Sequence, residues 1–193
     1  RPSPDSRLLL MATAEGGFWL TDLASGAVSP PVCLRTSGSQ FIALAFSDQV
    51  GWLAASDGDA VQTWNLKHQP LQPGVLRATG RFWGLRFSPD ERLLGAITGP
   101  INTEHTILIW DVASGEELAR FHPHHDYVTG LDFSPDGRVL ATASADNTCK
   151  LIDLRRRHEI TTLRGRRLAL HAVCFSPDGR RLVAGTGDGG LII

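Results

Sequence analysis

The sequence predicts an all-β protein built from repeated units of four short antiparallel strands. Two sequence anchors recur in step along its 193 residues, and short apolar runs closed by turn residues lie between them. No stretch keeps the 3.6-residue period of an amphipathic helix. Recurrence at a fixed period indicates that one structural unit is used several times.

The first anchor is a Phe-Ser-Pro-Asp turn. It occurs three times in full and twice in part, with its serines 41 to 46 residues apart, at Ser3, Ser47, Ser88, Ser134 and Ser176. Proline presets φ for a turn, and the glycine that follows in two copies tolerates positive φ. Each copy therefore predicts a tight turn between two strands.

The second anchor is an apolar residue or threonine followed by Asp or Asn. Its copies are Thr21-Asp22, Trp64-Asn65, Trp110-Asp111 and Ile152-Asp153. The lag from the serine to this polar residue is 19, 18, 23 and 19 residues, and the insertion at residues 100–105 explains the long one. Four short strands in about 43 residues is the arithmetic of a β-propeller blade.

These residues closely resemble the WD40-repeat family, whose repeat carries a Gly-His dipeptide, a Phe-Ser-Pro-Asp-Gly turn and a Trp-Asp end. The best copy runs through residues 124–137 as HHDYVTGLDFSPDG and continues at residues 140–148 as LATASADNT. The resemblance covers essentially the whole chain. It implies an incomplete WD40-type β-propeller of four near-complete blades and most of a fifth.

Strands a to d are lettered outward from the propeller axis, and the anchors divide the chain into five blades. They are blade one (1–37, lacking strand a), blade two (38–79), blade three (80–122), blade four (123–165) and blade five (166–193, ending in strand c). Seven blades are usual in the family, so both ends are expected to be cuts and the missing blades are expected partners. Alone, the chain is expected to expose an apolar face at each end and to associate.

The resemblance also implies a hydrogen-bonded set of His, Ser/Thr, Asp and Trp within a blade. The residues at these positions are His124, Ser144 and Asp146 in blade four, Thr186 and Asp188 in blade five, and Trp110 in blade three. Ile152 stands at the tryptophan position of blade four, and Arg166 at the histidine position of blade five. The sets are therefore predicted to be incomplete.

The family resemblance further implies peptide binding at the end of the propeller that carries the d–a and b–c loops. Aromatic and arginine side chains make the best anchors in interfaces. The candidate partner-binding residues at this end are Phe41, Arg81, Trp83, Tyr127 and His125. Phe41 equally fits a place in the core between blades. The insertion 101–105 lies on the same face and is a candidate specificity loop.

Three other motifs have simpler explanations than the functions they resemble. Residues 185–190 match GxGxxG, but strand-like residues follow and a hairpin turn explains the glycines better than a dinucleotide site. Residues 122–126 hold three histidines and an aspartate, for which structural or loop roles are favoured over a metal. Arginines at 155–157 and 164–167 flank an outer strand, so a solvated basic rim is favoured over one nucleic-acid patch.

Composition gives no sign of other partners or chemistry. The net charge is −1, and no apolar run approaches the roughly 18–20 residues of a membrane span. Cys33, Cys149 and Cys174 lie in apolar stretches without CxxC spacing, so they are predicted to be small buried hydrophobes rather than disulfide or zinc ligands. We expect a cytoplasmic protein with no cofactor, no metal, no membrane contact and no specific nucleic acid.

The sequence thus favours a non-catalytic scaffold that binds a protein or peptide. An alternative hypothesis is a sensor or regulatory propeller of a larger signalling enzyme, such as a Ser/Thr kinase or an NTPase, whose catalytic domain lies outside these residues. A hydrolase is the least favoured hypothesis, because no GxSxG, HExxH or spaced carboxylate pair is present.

Overall fold

The computed structural model describes residues 3, 5–12, 17–26, 32–33, 43–49, 51–56, 60–68, 73–77, 81–99, 105–164 and 168–192. The regular elements in these ranges are all β-strands. The same ranges contain no helix long and apolar enough to cross a membrane. The all-β prediction is confirmed.

Within the described ranges the strands form five antiparallel sheets, each a meander of consecutive strands. Sheet one contains β1 (Leu8–Ala12), β2 (Gly17–Asp22) and β3 (Val32–Cys33). Sheet two contains β4 (Ala43–Phe46), β5 (Trp52–Ser56), β6 (Ala60–Asn65) and β7 (Pro73–Arg77). Sheet three contains β8 (Arg81–Phe87), β9 (Leu93–Gly99), β10 (Thr106–Asp111) and β11 (Glu117–Phe121). Sheet four contains β12 (Val128–Phe133), β13 (Val139–Ser144), β14 (Thr148–Asp153) and β15 (His158–Arg164). Sheet five contains β16 (Leu170–Phe175), β17 (Leu182–Thr186) and β18 (Leu191–Ile192).

Sheets two to five stack face to face, and their first strands contact one another in succession. A buried apolar cluster fills the space between sheets two and three, where the rings of Phe82 and Trp110 have centres 6.0 Å apart. A second cluster, with Ile107 and Leu140, joins sheets three and four, and a third, with Cys149 and Leu170, joins sheets four and five. These contacts are the packing expected of four-stranded propeller blades.

The first anchor is a closed hydrogen-bonded turn in four copies. The hydroxyl of Ser3, Ser88, Ser134 or Ser176 donates to the aspartate two residues later at 2.5–2.6 Å. The same hydroxyl accepts a backbone N–H five residues later at 2.9 Å in each case. Gly137 and Gly179 take φ of 70° and 67°, as predicted for the residue after the aspartate. The turn is thus fixed by its own side chains.

In the turn at Ser47, Gln49 stands where the other copies have an aspartate two residues after the serine. The carboxylate of Glu91, in sheet three, takes the place of that aspartate. The Ser47 hydroxyl donates to Oε1 of Glu91 at 2.5 Å, and the Gly51 amide donates to the same oxygen at 3.0 Å. Lys67 Nζ lies 3.5 Å from Oε2. Burial opposes ionisation of Glu91, but these hydrogen bonds and the lysine charge outweigh it and hold its pKa below the ordinary value. Glu91 therefore links sheets two and three.

Glu91 occupies the position that glycine holds in the next two turns, and its φ is 61°. Glycine there would relieve backbone strain of about 1 kcal/mol, whereas losing hydrogen bonds to a buried charged group costs about 1.5–3 kcal/mol. We therefore expect Glu91→Gly to lower the free energy of unfolding by about 1 kcal/mol, measured by urea denaturation. Glu91→Gln keeps an acceptor oxygen and should cost less. A glycine variant more stable than the parent would refute the link.

Candidate functional site

A buried hydrogen-bond network surrounds His124 at one end of sheet four. His124 lies in the loop before β12, and its Nε2 is 2.8 Å from Oγ1 of Thr142 in β13. Its Nδ1 is 3.0 Å from Oδ2 of Asp146, in the turn between β13 and β14, and 3.1 Å from Oγ1 of Thr148. Asp146 also accepts the Thr148 amide at 2.9 Å and the Thr148 hydroxyl at 2.5 Å. One histidine thus ties the loop to two strands and to the turn between them.

The network favours neutral His124 and ionised Asp146. A carboxylate cannot donate, so Nδ1 carries the hydrogen, and the neutral ring then accepts the Thr142 hydroxyl at Nε2. Burial lowers the pKa of His124 although the charge of Asp146 opposes this. Burial also opposes ionisation of Asp146, but hydrogen bonds from Thr148 and His124 outweigh it and lower its pKa. The pair is therefore a hydrogen bond to a carboxylate, not a full ion pair, at neutral pH.

The hydroxyl partner of His124 is Thr142 and not Ser144, which was predicted for that role. The sequence analysis did not single out Thr142. Ser144 is buried two residues further along β13. Its hydroxyl donates to the Asp126 carbonyl at 3.2 Å and accepts the Asp146 amide at 3.0 Å. Ser144 therefore holds the backbone of the turn, while Thr142 meets the imidazole. The choice depends on which residue stands beside the ring once β13 is paired with β12.

The other predicted sets are smaller. In sheet five the Thr186 hydroxyl donates to Asp188, which also accepts the Gly190 amide at 3.1 Å. Alanines occupy the Thr142 position in sheets two, three and five: Ala55, Ala96 and Ala184. Trp110 is fully buried in the cluster between sheets two and three. Among the described residues, the network with a buried histidine belongs to sheet four.

This network predicts a pH dependence of stability. The folded pKa of His124 lies below its unfolded value of about 6.5, so the unfolded chain takes up a proton first as the pH falls. The contribution of neutral His124 is complete above about pH 6.5 and is lost progressively below it. We expect the free energy of unfolding to decrease as the pH is lowered from 7.5 to 5.5. Urea denaturation at each pH measures it.

The matched variants separate this histidine from the others. His124→Gln should remove most of that pH dependence in addition to lowering stability at pH 7.5. His171→Gln changes an exposed histidine and should leave the pH dependence as in the parent. Parent and His124→Gln curves of equal slope over this interval would contradict the assignment.

A second group of side chains lies at the end of the sheets where the first strands begin, which we call the upper end. Tyr127 is 46% exposed there, and its ring centre lies 4.3 Å from that of His105 at an angle of 51°. Arg81 is exposed and pairs with Gly99 across β8 and β9. The His125 amide donates to Asp146 at 3.2 Å, and His125 is exposed.

The remaining candidate residues of the upper end differ in burial and in whether the structure describes them. Trp83 is half-buried and packs against the cluster between sheets three and four, so its role includes core packing. Phe41 and residues 101–104 of the insertion lie outside the described residues. His105 was predicted only as part of that insertion, and its contact with Tyr127 joins sheet three to sheet four. That contact depends on how the two sheets stack.

Asp132 in β12 bridges three sheets, and sequence analysis did not single it out. Its Oδ1 accepts Nε of Arg86 in sheet three at 2.9 Å, and its Oδ2 accepts the Phe175 amide of sheet five at 2.8 Å. These residues line an open pocket of about 280 Å³ at the turn end of the sheets, beside Pro89 and Pro135. The sequence signal that could have indicated Asp132 is its position as an acidic residue directly before the phenylalanine of the turn motif.

The cysteine prediction is correct for Cys149, which is buried and whose pKa burial raises to about 11. It is wrong for Cys174, which is exposed on sheet five, because no described residue covers that face of β16. The side chain of Cys33 lies outside the description. Over the described residues, no three His, Cys, Asp or Glu side chains are placed to hold a metal ion.

Two other motifs adopt local structures. The turn at residues 186–190 is closed by a hydrogen bond from the Thr186 amide to the Gly190 carbonyl at 2.9 Å, and β18 follows it. The GxGxxG match is therefore a hairpin turn, as predicted. Residues 155–157 form the turn between β14 and β15, and Arg164 ends β15. Residues 165–167 lie outside the described part.

Stacked four-stranded antiparallel sheets, with Ser-Asp turns and a buried histidine network, define a propeller-type repeat protein. Residues 115–153 and 157–193 match the family model described as WD40: WD domain, G-beta repeat. These two matches support the membership of the WD40-repeat family that the sequence predicts.

Several curated relatives match parts of the chain. An uncharacterized WD repeat-containing protein of Synechocystis is 28% identical over 142 residues, which are 74% of this chain and 39% of the relative. Eukaryotic translation initiation factor 3 subunit I of Pyricularia oryzae is 32% identical over 53% of this chain and 28% of its own. A guanine nucleotide-binding protein subunit beta of Zea mays is 31% identical over 48% and 26%. The chain thus spans two fifths of these relatives' length or less.

Proposed function

We propose that this chain is a non-catalytic platform that binds a protein or peptide partner at its upper end. The observation that carries the proposal is the exposure of Arg81, which begins β8, and of Tyr127, which directly precedes β12. These two inner strands are neighbours. Tyrosine and arginine are enriched among residues that dominate binding energy. The printed names of two relatives, a subunit of an initiation factor and a subunit of a guanine nucleotide-binding protein, support a role in assemblies.

The buried network supports the proposal physically. Binding is tighter when the binding groups are already held in place, because less conformational freedom is lost. His124 and Asp146 fix the loop that carries His125 and Tyr127, while the contact with His105 limits the Tyr127 ring. The upper end therefore presents an aromatic ring and a guanidinium on ordered segments.

The proposal is tested by selecting peptides from a random displayed library on the immobilised chain. Selected peptides should bind at least about tenfold more weakly to the double variant Arg81→Ala/Tyr127→Ala, as expected when two interface anchors are truncated. The control variant Leu23→Ala/Arg180→Ala truncates an apolar and a basic residue, both exposed elsewhere, and should bind like the parent. Selected peptides that bind both variants equally would refute the upper end as the binding site.

A further inference from the structure

The outer strand of sheet four leaves one edge unpaired. Among the described strands, β15 pairs with β14 alone and ends the order of its sheet. It is seven residues long, against five for the outer strands β7 and β11. The pairing with β14 skips Ile160. On either side of that irregularity, alternate residues of the edge turn their N–H and C=O groups outward, where an extended segment can pair with them.

Arginines stand at both ends of this edge. Arg155, Arg156 and Arg157 precede β15 and Arg164 ends it, and all four are exposed. None of the ion pairs found among the described residues includes any of these four guanidinium groups. Seven strand residues place the two groups about 20–23 Å apart. One extended segment along β15 would therefore meet positive charge at each end.

The first arginine group is built into a concave site. Arg138, Asp153, Arg155 and Arg156 line a cavity of about 330 Å³ at the end of β14. Asp153 accepts the Arg156 amide at 2.7 Å, and this hydrogen bond above all lowers its pKa and keeps it ionised. Three guanidinium groups face the Asp153 carboxylate, and Asp136 lies 3.9 Å from Arg138 Nε, so the net charge at the cavity is +1. A carboxylate side chain is the natural occupant of such a site.

Between the arginines the edge carries two exposed apolar residues and a single acid. Ile160 is 50% exposed and Leu163 is 47% exposed. The one acid on the strand, Glu159, is held by Lys150 Nζ at 2.6 Å and by the Thr162 hydroxyl. An incoming acidic segment would therefore find apolar side chains and free backbone groups rather than an unpaired negative charge.

We propose that β15 and its flanking arginines bind an extended acidic segment of a partner protein by strand addition. The segment adds a fifth strand to sheet four, places an acidic side chain among Arg138, Arg155 and Arg156, and packs apolar residues beside Ile160 and Leu163. A nucleic acid could use the arginines but not the strand edge, so a protein segment fits more of the surface. This site is separate from the upper end. It rests on the proposed function only in that the chain binds a protein or peptide partner.

The test uses a fluorescein-labelled peptide of about eight residues, with alternating valine and threonine between paired glutamates. Fluorescence anisotropy should show saturable binding to the chain. Arg155→Glu/Arg156→Glu should weaken binding at least about tenfold. Arg180→Glu/Arg181→Glu reverses two adjacent exposed arginines on sheet five and should leave the affinity unchanged. Circular dichroism of both variants checks the fold.

Two further probes make the result specific to strand addition at this edge. A peptide with proline at its centre cannot complete the strand pairing and should bind at least about tenfold more weakly. Arg81→Ala/Tyr127→Ala should bind the acidic peptide like the parent, which separates this site from the upper end. The proposal would be overturned if the acidic peptide showed no saturable binding, or if the proline peptide bound equally well. It would also be overturned if a single-stranded oligonucleotide displaced the labelled peptide at a lower concentration than unlabelled peptide does.

Discussion

Asp146→Ala is expected to lower the free energy of unfolding by about 3 kcal/mol, the largest effect of any single change considered for this chain. The carboxylate accepts from the His124 ring, the His125 amide and both the amide and the hydroxyl of Thr148. Alanine leaves several of these donors without an acceptor in a region where the His124 side chain is 0% exposed. Buried donors left unsatisfied cost more than the hydrogen bond itself is worth. Urea denaturation at pH 7.5 measures the change.

Sheet five supplies the matched control. Asp188 stands at the same place in its turn and accepts from Thr186 and Gly190, but there is no buried histidine above it among the described residues. Asp188→Ala should therefore cost clearly less than Asp146→Ala. Equal losses from the two substitutions would show that the turn contacts, and not the histidine network, account for the effect.

Asp132→Ala is expected to cost about 2 kcal/mol and to weaken the contact between sheets rather than within one. The Asp132 side chain is 8% exposed and bridges Arg86 of sheet three to the Phe175 amide of sheet five. The tight packing here is also visible at Gly130, where a Cβ would lie 3.2 Å from backbone atoms of Ala172 and Val173. Loss of the bridge leaves an inner-strand amide without its acceptor.

The ion pair with Arg86 should contribute less to stability than the hydrogen bond to the Phe175 amide. The Arg86 side chain is 44% exposed, so water replaces much of what the ion pair provides. Arg86→Ala is therefore expected to destabilise the chain by less than half as much as Asp132→Ala. Asp132→Asn keeps an acceptor for the Phe175 amide, so its loss of unfolding free energy should lie between those of the other two variants. Urea denaturation ranks the three variants. A larger loss from Arg86→Ala than from Asp132→Ala would refute the assigned order.

Local chemistry in the sequence was sufficient to locate the strands and turns of the regular repeats. Ser134 and Asp136 close their turn with each other, and apolar β-formers follow directly, so the information lies within a few residues. Sheets three and four consequently contain four short antiparallel strands each, as predicted for one repeat. The sequence also placed His124 and Asp146 together, through a resemblance that extends across one repeat.

Tertiary structure alone decided the contacts that cross strands or sheets. The partner of His124 is Thr142 rather than Ser144 because strand pairing, not spacing along the chain, sets which hydroxyl meets the ring. Glu91 completes a turn 44 residues earlier in the chain, and Asp132 reaches an amide 43 residues later. Such pairs have no local pattern, because they exist only once stacked sheets bring distant residues within hydrogen-bond distance. The sequence determined the repeat and its turns, and sheet stacking determined which polar groups join one repeat to the next.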